Sequence, residues 1–174
     1  MKPIIPANTT RGLIDKVFHD YFLKYNFKEE VSTNELNAFR HEYGNSHCNF
    51  IFSTGYSEIE LDIQKAGDNY KYSVFSIYRY TKDKHLDVKD EPSHGTEDRI
   101  TKQLIAYKSC LEKDFSQLPN GDFSWVETVK ECVELEKKIN EKLFSLSNKH
   151  AIYIKYDNDD PTWKVDIMKL LNEE

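Results

Sequence analysis

The sequence predicts an α+β fold: an N-terminal helix, a four-stranded antiparallel meander, an αα-hairpin, and a short C-terminal strand and helix. Two patterns carry this prediction. Residues 58–64 alternate charged and apolar side chains with period two, as a half-buried strand does. Leu13, Ile14, Val17, Phe18, Tyr21, Phe22 and Tyr25 recur at the three/four spacing of a helix with one apolar face.

The meander comes from aligning neighbouring apolar sets. Gly67-Asp68 suits a two-residue turn between Ala66 and Asn69, which sets Ile63 opposite Tyr72 and Leu61 opposite Val74. A four-residue loop at 54–57 sets Ser53 against Glu58 and Phe52 against Ile59. Another at 44–47 sets Phe39 against Phe52 and Tyr43 against Cys48. Residues 70–80, rich in aromatic and β-branched side chains, read as the fourth strand. A one-residue slip in any hairpin would turn a strand's apolar set outward, so the registers constrain one another.

These registers predict an inward face of Phe39, His41, Tyr43, Cys48, Phe50, Phe52, Ile59, Leu61, Ile63, Tyr72 and Val74. The outward face then carries Arg40, Glu42, Asn49, Ile51, Glu58, Glu60, Asp62, Ser73, Phe75 and Ile77. One cross-strand row is expected to read Glu42, Asn49, Asp62, Ser73, with Arg40, Ile51, Glu60, Phe75 beside it. An antiparallel sheet commonly leaves one face to water. Acid beside Phe75 and Ile77 is the composition of a docking surface as well as of a solvated one.

Outside the meander, Thr10 is placed to cap the first helix, and Asn26 to stop it in a left-handed conformation, with Phe27 as the anchor beyond. Residues 81–96 read as a polar loop broken by Pro92 and Gly95. Thr96 or Glu97 opens a helix carrying Ile100, Leu104, Tyr107, Leu111, Phe115 and Leu118, ended by Pro119-Asn120-Gly121. Ser124 to Glu127 forms a capping box for a helix that runs to about Leu146, and the two helices make the αα-hairpin. Ala151 to Tyr156 reads as a strand, and Asp160-Pro161 as the start of a final helix.

At 174 residues, without a linker-like or low-complexity tract, the chain is expected to form a single domain over residues 1–174. Its net charge of −6 and pI near 5.6 argue against a nucleic-acid binder, which needs a concentrated basic surface. No apolar run reaches the roughly 20 residues of a membrane span. The start of the chain lacks the apolar segment of a signal peptide. Three cysteines without C-x-x-C spacing fit buried thiols in a reducing compartment, so a cytoplasmic location without membrane contact is expected.

Catalytic motifs are missing: no G-x-S-x-G, P-loop or G-x-G-x-x-G occurs. His41, His47 and Cys48 do not converge as four zinc ligands would. Residues 157–160 lack the turn glycine and distal glutamate of an EF-hand. No cofactor, metal or catalytic residue is therefore expected. The reading that remains is a non-enzymatic binding protein, such as an immunity-type inhibitor or effector chaperone, meeting a basic protein through an acidic, tyrosine-bearing surface. Its expected binding residues are Glu42, Asn49, Glu58, Glu60, Asp62, Phe75, Ile77, Asp157 and Asp159. The alternatives are a small metal-dependent hydrolase using the Glu42/Asn49/Asp62 row, and a small-ligand binder with a cavity between Phe50, Leu61 and the helices.

Overall fold

The computed structural model describes residues 7–35, 38–54, 59–82 and 96–145. The fold is a mixed helix and antiparallel-sheet architecture, as the sequence predicts, with one strand more than expected. In chain order the elements are α1 (Ala7–Lys24), β1 (Lys28–Glu35), β2 (Ala38–Gly44), β3 (Cys48–Ser53), β4 (Glu60–Lys65), β5 (Lys71–Ser73), α2 (Val74–Lys82), α3 (Thr96–Asp114), a 3-10 turn (Leu118–Asn120) and α4 (Val126–Ser145). The strands form one antiparallel sheet in sequence order, β1 to β5. The C-terminal strand and helix expected from residues 151–171 lie outside the described residues. So does most of the expected loop at 81–96, of which Thr81 and Lys82 close α2.

Two compact units share the described residues. One holds α1, the sheet, α3 and the 3-10 turn; the other holds α2 from Phe75 onward together with α4. Because α3 and α4 fall in different units, the expected αα-hairpin is not a feature of either.

In the first unit, α1 ends as its sequence requires. Asn26 adopts φ 56, the left-handed conformation. The Phe27 N–H reaches Phe22 O at 2.9 Å and the Asn26 N–H reaches Leu23 O at 3.4 Å, the paired bonds of a Schellman motif. Phe27 then packs on Phe22, with ring centroids 5.6 Å apart. The start of α1 differs from expectation: the helix begins at Ala7, so the buried Thr10 lies within it and not at its cap.

All eleven residues expected on the inward sheet face are buried. Aromatic rings of α1 lie on them: Phe18 meets Phe52 edge-on at 5.2 Å, Phe22 stacks on Tyr43 at 4.3 Å, and Tyr21 lies 5.9 Å from Phe50. Helix α3 packs on α1, and the Tyr107 hydroxyl donates to Ile59 O at 3.0 Å, tying α3 to the approach to β4.

The hairpin registers agree with the sequence in parity but not always in position. Between β4 and β5, Ile63 pairs with Tyr72 and Asp62 with Ser73, as expected. The turn itself differs: the Asp68 N–H donates to Lys65 O at 3.0 Å, and Gly67, with φ 79, occupies the third turn position. Between β2 and β3 the pairing is shifted by two residues, with Tyr43 opposite Phe50 and His41 opposite Phe52. Asn45 causes the shift. Its Oδ1 accepts from the N–H groups of His47 and Cys48 at 2.8 and 3.0 Å, so the chain turns over Ser46-His47 alone. Between β3 and β4 the shift is again two: Phe52 faces Leu61 and Ser53 faces Glu60. An even shift keeps every side chain of β2, β3 and β4 on its expected face, so the expected core holds although the loop lengths differ.

Two larger corrections concern the ends of the meander. Residues 28–35, polar and without an apolar period, form β1, pairing with β2 around a bulge at Glu30. The expected fourth strand stops after three residues, and the chain from Val74 is helical. Val74, Ile77 and Tyr80 are buried at a spacing of three, the helical period that β-propensity had masked.

In the second unit, Val126, Val129, Cys132 and Ile139 are buried along α4, and Arg79 of α2 pairs with Glu136 of α4 at 3.2 Å.

Candidate functional site

The outward face of the sheet is built by alternation. Every residue of β2, β3 and β4 between the core positions points away from α1. Its central row runs Val31, Glu42, Ile51, Asp62, Ser73. On one side lies the row Thr33, Arg40, Ser53, Glu60; on the other, Lys28, Gly44, Asn49, Gln64, Lys71.

The two-residue shifts rearrange the expected site. Asn49 leaves the central row and lies between Gly44 and Gln64, so Glu42, Asn49 and Asp62 do not form one line. Ile51 stands between Glu42 and Asp62 and is only 1% exposed. Across two strand spacings the carboxylates' backbones are about 10 Å apart. Phe75 and Ile77, expected beside the acids, belong to α2, and Ile77 is buried. Glu58, Asp157 and Asp159 lie outside the described residues. Of the tyrosines, Tyr72 and Tyr80 are buried, whereas Tyr70 is 38% exposed and its ring lies tilted against Tyr72, with centroids 4.7 Å apart.

What remains together is a strip of charge over three strands. Arg40 and Glu42, two apart on β2, form an ion pair, and Glu42 is nearly buried. Glu60 and Asp62, two apart on β4, are like charges on the same face, both half-buried. Asp62 is held above the usual carboxylate range. Its partial burial is the largest cause and the neighbouring Glu60 charge the next; Lys71 and Arg40 oppose them. The folded carboxyl therefore keeps its proton to higher pH than the unfolded one. Between those two values the native state binds more protons, and ionising Asp62 at higher pH weakens the fold.

Glycine at position 44 is a matter of space. A Cβ there would collide with the Glu30 carboxylate and come within 2.6 Å of Asn49 Oδ1. Both obstacles are ends of flexible side chains, so Gly44→Ala is expected to cost about 1 kcal/mol, at the low end for overpacking. Denaturant unfolding of Gly44→Ala beside the double variant Gly44→Ala/Glu30→Ala checks this, because the second change should recover part of the loss.

Among the described residues, no three His, Cys, Asp or Glu side chains come close enough to share a metal ion. His41 is fully buried on the inward face, its Nδ1 3.1 Å from Ser32 Oγ, while His47 is exposed in the β2–β3 turn. The three cysteines are free and buried, and burial pushes the Cys48 thiol up to about 12, far from a reactive thiolate. The region between Phe50 and the helices holds aromatic rings: Phe50 lies 4.6 Å from Phe27 and 5.9 Å from Tyr21. Among the described residues, no helix is long and apolar enough to cross a membrane.

β1 is the strand that the sequence reading does not contain. The available signal was the pair of charges Lys28-Glu29 followed by Val31-Ser32-Thr33, a short β-branched run after a helix stop.

No family model, curated protein or solved structure matches this chain. Its functional reading therefore rests on its own residues.

Proposed function

We propose that the chain is a non-enzymatic binding protein that docks a basic protein through Glu60 and Asp62 of β4, with Glu42 behind them, in the manner of an immunity-type inhibitor or effector chaperone. One observation carries this reading: Glu60 and Asp62 stand two apart on the same sheet face, where partial burial and the neighbouring Glu60 charge make the ionised form of Asp62 costly. A lysine or arginine supplied by a partner removes that cost, so its binding energy includes relief of the repulsion between the two acids. The net charge of −6 acts in the same direction at long range, speeding the encounter with a cationic surface.

The test is affinity capture from a cell lysate, comparing the wild-type chain with Glu60→Lys/Asp62→Lys and identifying captured proteins by mass spectrometry. A basic protein should be retained by the wild type and lost, by about tenfold or more, with the variant. Capture should also fall as ionic strength rises from about 0.05 to about 0.5 M. Equal capture by both chains, insensitive to salt, contradicts the proposal.

A further inference from the structure

Glu60 opens β4, and the two sides of that strand end are held differently. The Ala66 N–H donates to His47 O at 2.8 Å, so even-numbered β4 residues bond toward β3, and Glu60 is held on that side opposite Ser53. The odd positions, Ile59 and Leu61 among them, turn their backbone groups to the β5 side. β5 reaches only to Ser73, opposite Asp62, and the chain is helical from Val74. At Ile59, where a longer β5 would supply a donor, the Tyr107 hydroxyl donates to the carbonyl oxygen at 3.0 Å.

Helix α3 brings Tyr107 there, with Ile100, Leu104, Tyr107 and Leu111 fully buried at helical spacing. One turn earlier on the same helix, Gln103 Nε2 donates to the Tyr107 hydroxyl at 3.1 Å. A phenol has one hydrogen to give, and with Gln103 on its oxygen that hydrogen is directed at Ile59. Gln103 and Tyr107 are both buried, so bulk water does not compete for either bond. Burial raises the hydroxyl above the ordinary tyrosine range; the Gln103 bond lowers it, and the charges of Glu60 and Asp62 raise it, so both acids act on this hydroxyl.

We propose that Tyr107, oriented by Gln103, is the positioning residue of the acidic site: by fixing Ile59 it holds Glu60 against β3 and beside Asp62, so that both carboxylates are set before a cation arrives. This inference rests on the acidic-face reading above and adds to it the buried pair that pre-organises the face.

The experiment follows the Asp62 carboxyl by 13C NMR across pH in the wild type, Tyr107→Phe and Gln103→Met, with hydrogen exchange at the Glu60 amide and an oligolysine titration alongside. Ile14→Val, a buried change on α1, controls for lost stability alone. In Tyr107→Phe the Glu60 amide should exchange about tenfold faster or more than in Ile14→Val. Asp62 should titrate lower, toward the ordinary aspartate range, as Glu60 comes free of it. Oligolysine binding should weaken by about threefold or more. Gln103→Met should move all three readouts the same way by less, and it decides the matter if Tyr107→Phe does not fold. Ile14→Val should leave the Asp62 titration as in the wild type. An Asp62 titration unchanged by Tyr107→Phe, or moved equally by Ile14→Val, overturns the inference and leaves the acidic-face reading standing. A titration that moves with Tyr107→Phe in a chain that does not bind oligolysine supports the positioning role and counts against the docking reading.

Discussion

Phe52→Ala should lower the unfolding free energy by about 4 kcal/mol, within the usual cost of emptying a buried aromatic site. Phe52 is fully buried at the centre of the sheet, between His41 and Leu61 in the ladder. Its ring contacts Phe18 of α1 edge-on at 5.2 Å and Tyr43 edge-on at 6.0 Å. Truncation removes the ring's transfer energy and both aromatic contacts, and leaves a void that helix and sheet cannot close without breaking the registers on either side. Against a total stability of about 5–15 kcal/mol for a domain, that is a large fraction. Urea unfolding followed by far-UV circular dichroism checks it. A loss under about 1.5 kcal/mol would mean that α1 does not pack on the sheet as described.

Asn45→Ala ranks second, with an expected loss of about 2–4 kcal/mol from four hydrogen bonds at roughly 0.5–1.5 kcal/mol each, less any recovered by water. Its Oδ1 holds the turn amides of His47 and Cys48, and its Nδ2 donates to Tyr25 O at 3.1 Å and Pro119 O at 3.0 Å. One side chain thus fixes the β2–β3 turn, the end of α1 and the 3-10 turn after α3. Asn45→Asp separates these roles, because a carboxylate can still accept from the turn amides but cannot donate to the two carbonyls. Its loss should be at least as large as that of alanine, since it brings a charge against two carbonyl oxygens. Equal stability of wild type and Asn45→Ala would remove Asn45 as the cause of the two-residue register shift.

That shift shows what could be read from the residues and what could not. Strand alternation identifies the inward residues of β2, β3 and β4, because parity survives an error of two. Loop length did not follow, since the short turn at Ser46-His47 depends on an asparagine bonded to elements distant in sequence. The outward site suffered most. Its expected row needed exact position, and the shift exchanged Asn49 for the buried Ile51 between Glu42 and Asp62. Glu60 and Asp62 kept their relation because they share one strand, so no register enters. Phe75 and Ile77 were misplaced for another reason: their segment has strand composition but helical spacing, and tertiary context chose the helix. β1 escaped because it is an edge strand with few apolar residues, and polarity there resembles a loop.

Asp62 beside Glu60 is proposed to be an acidic spot that takes a partner's cation, and the titration of the Asp62 side-chain carboxyl, followed by 13C NMR, tests this most directly. In the free chain the carboxyl should titrate above the ordinary aspartate range, and replacing Glu60 by glutamine should bring it down. Adding an oligolysine peptide should lower it as well, since a bound cation favours the charged form. An Asp62 that titrates in the ordinary range, indifferent to both Glu60→Gln and the peptide, would contradict the account.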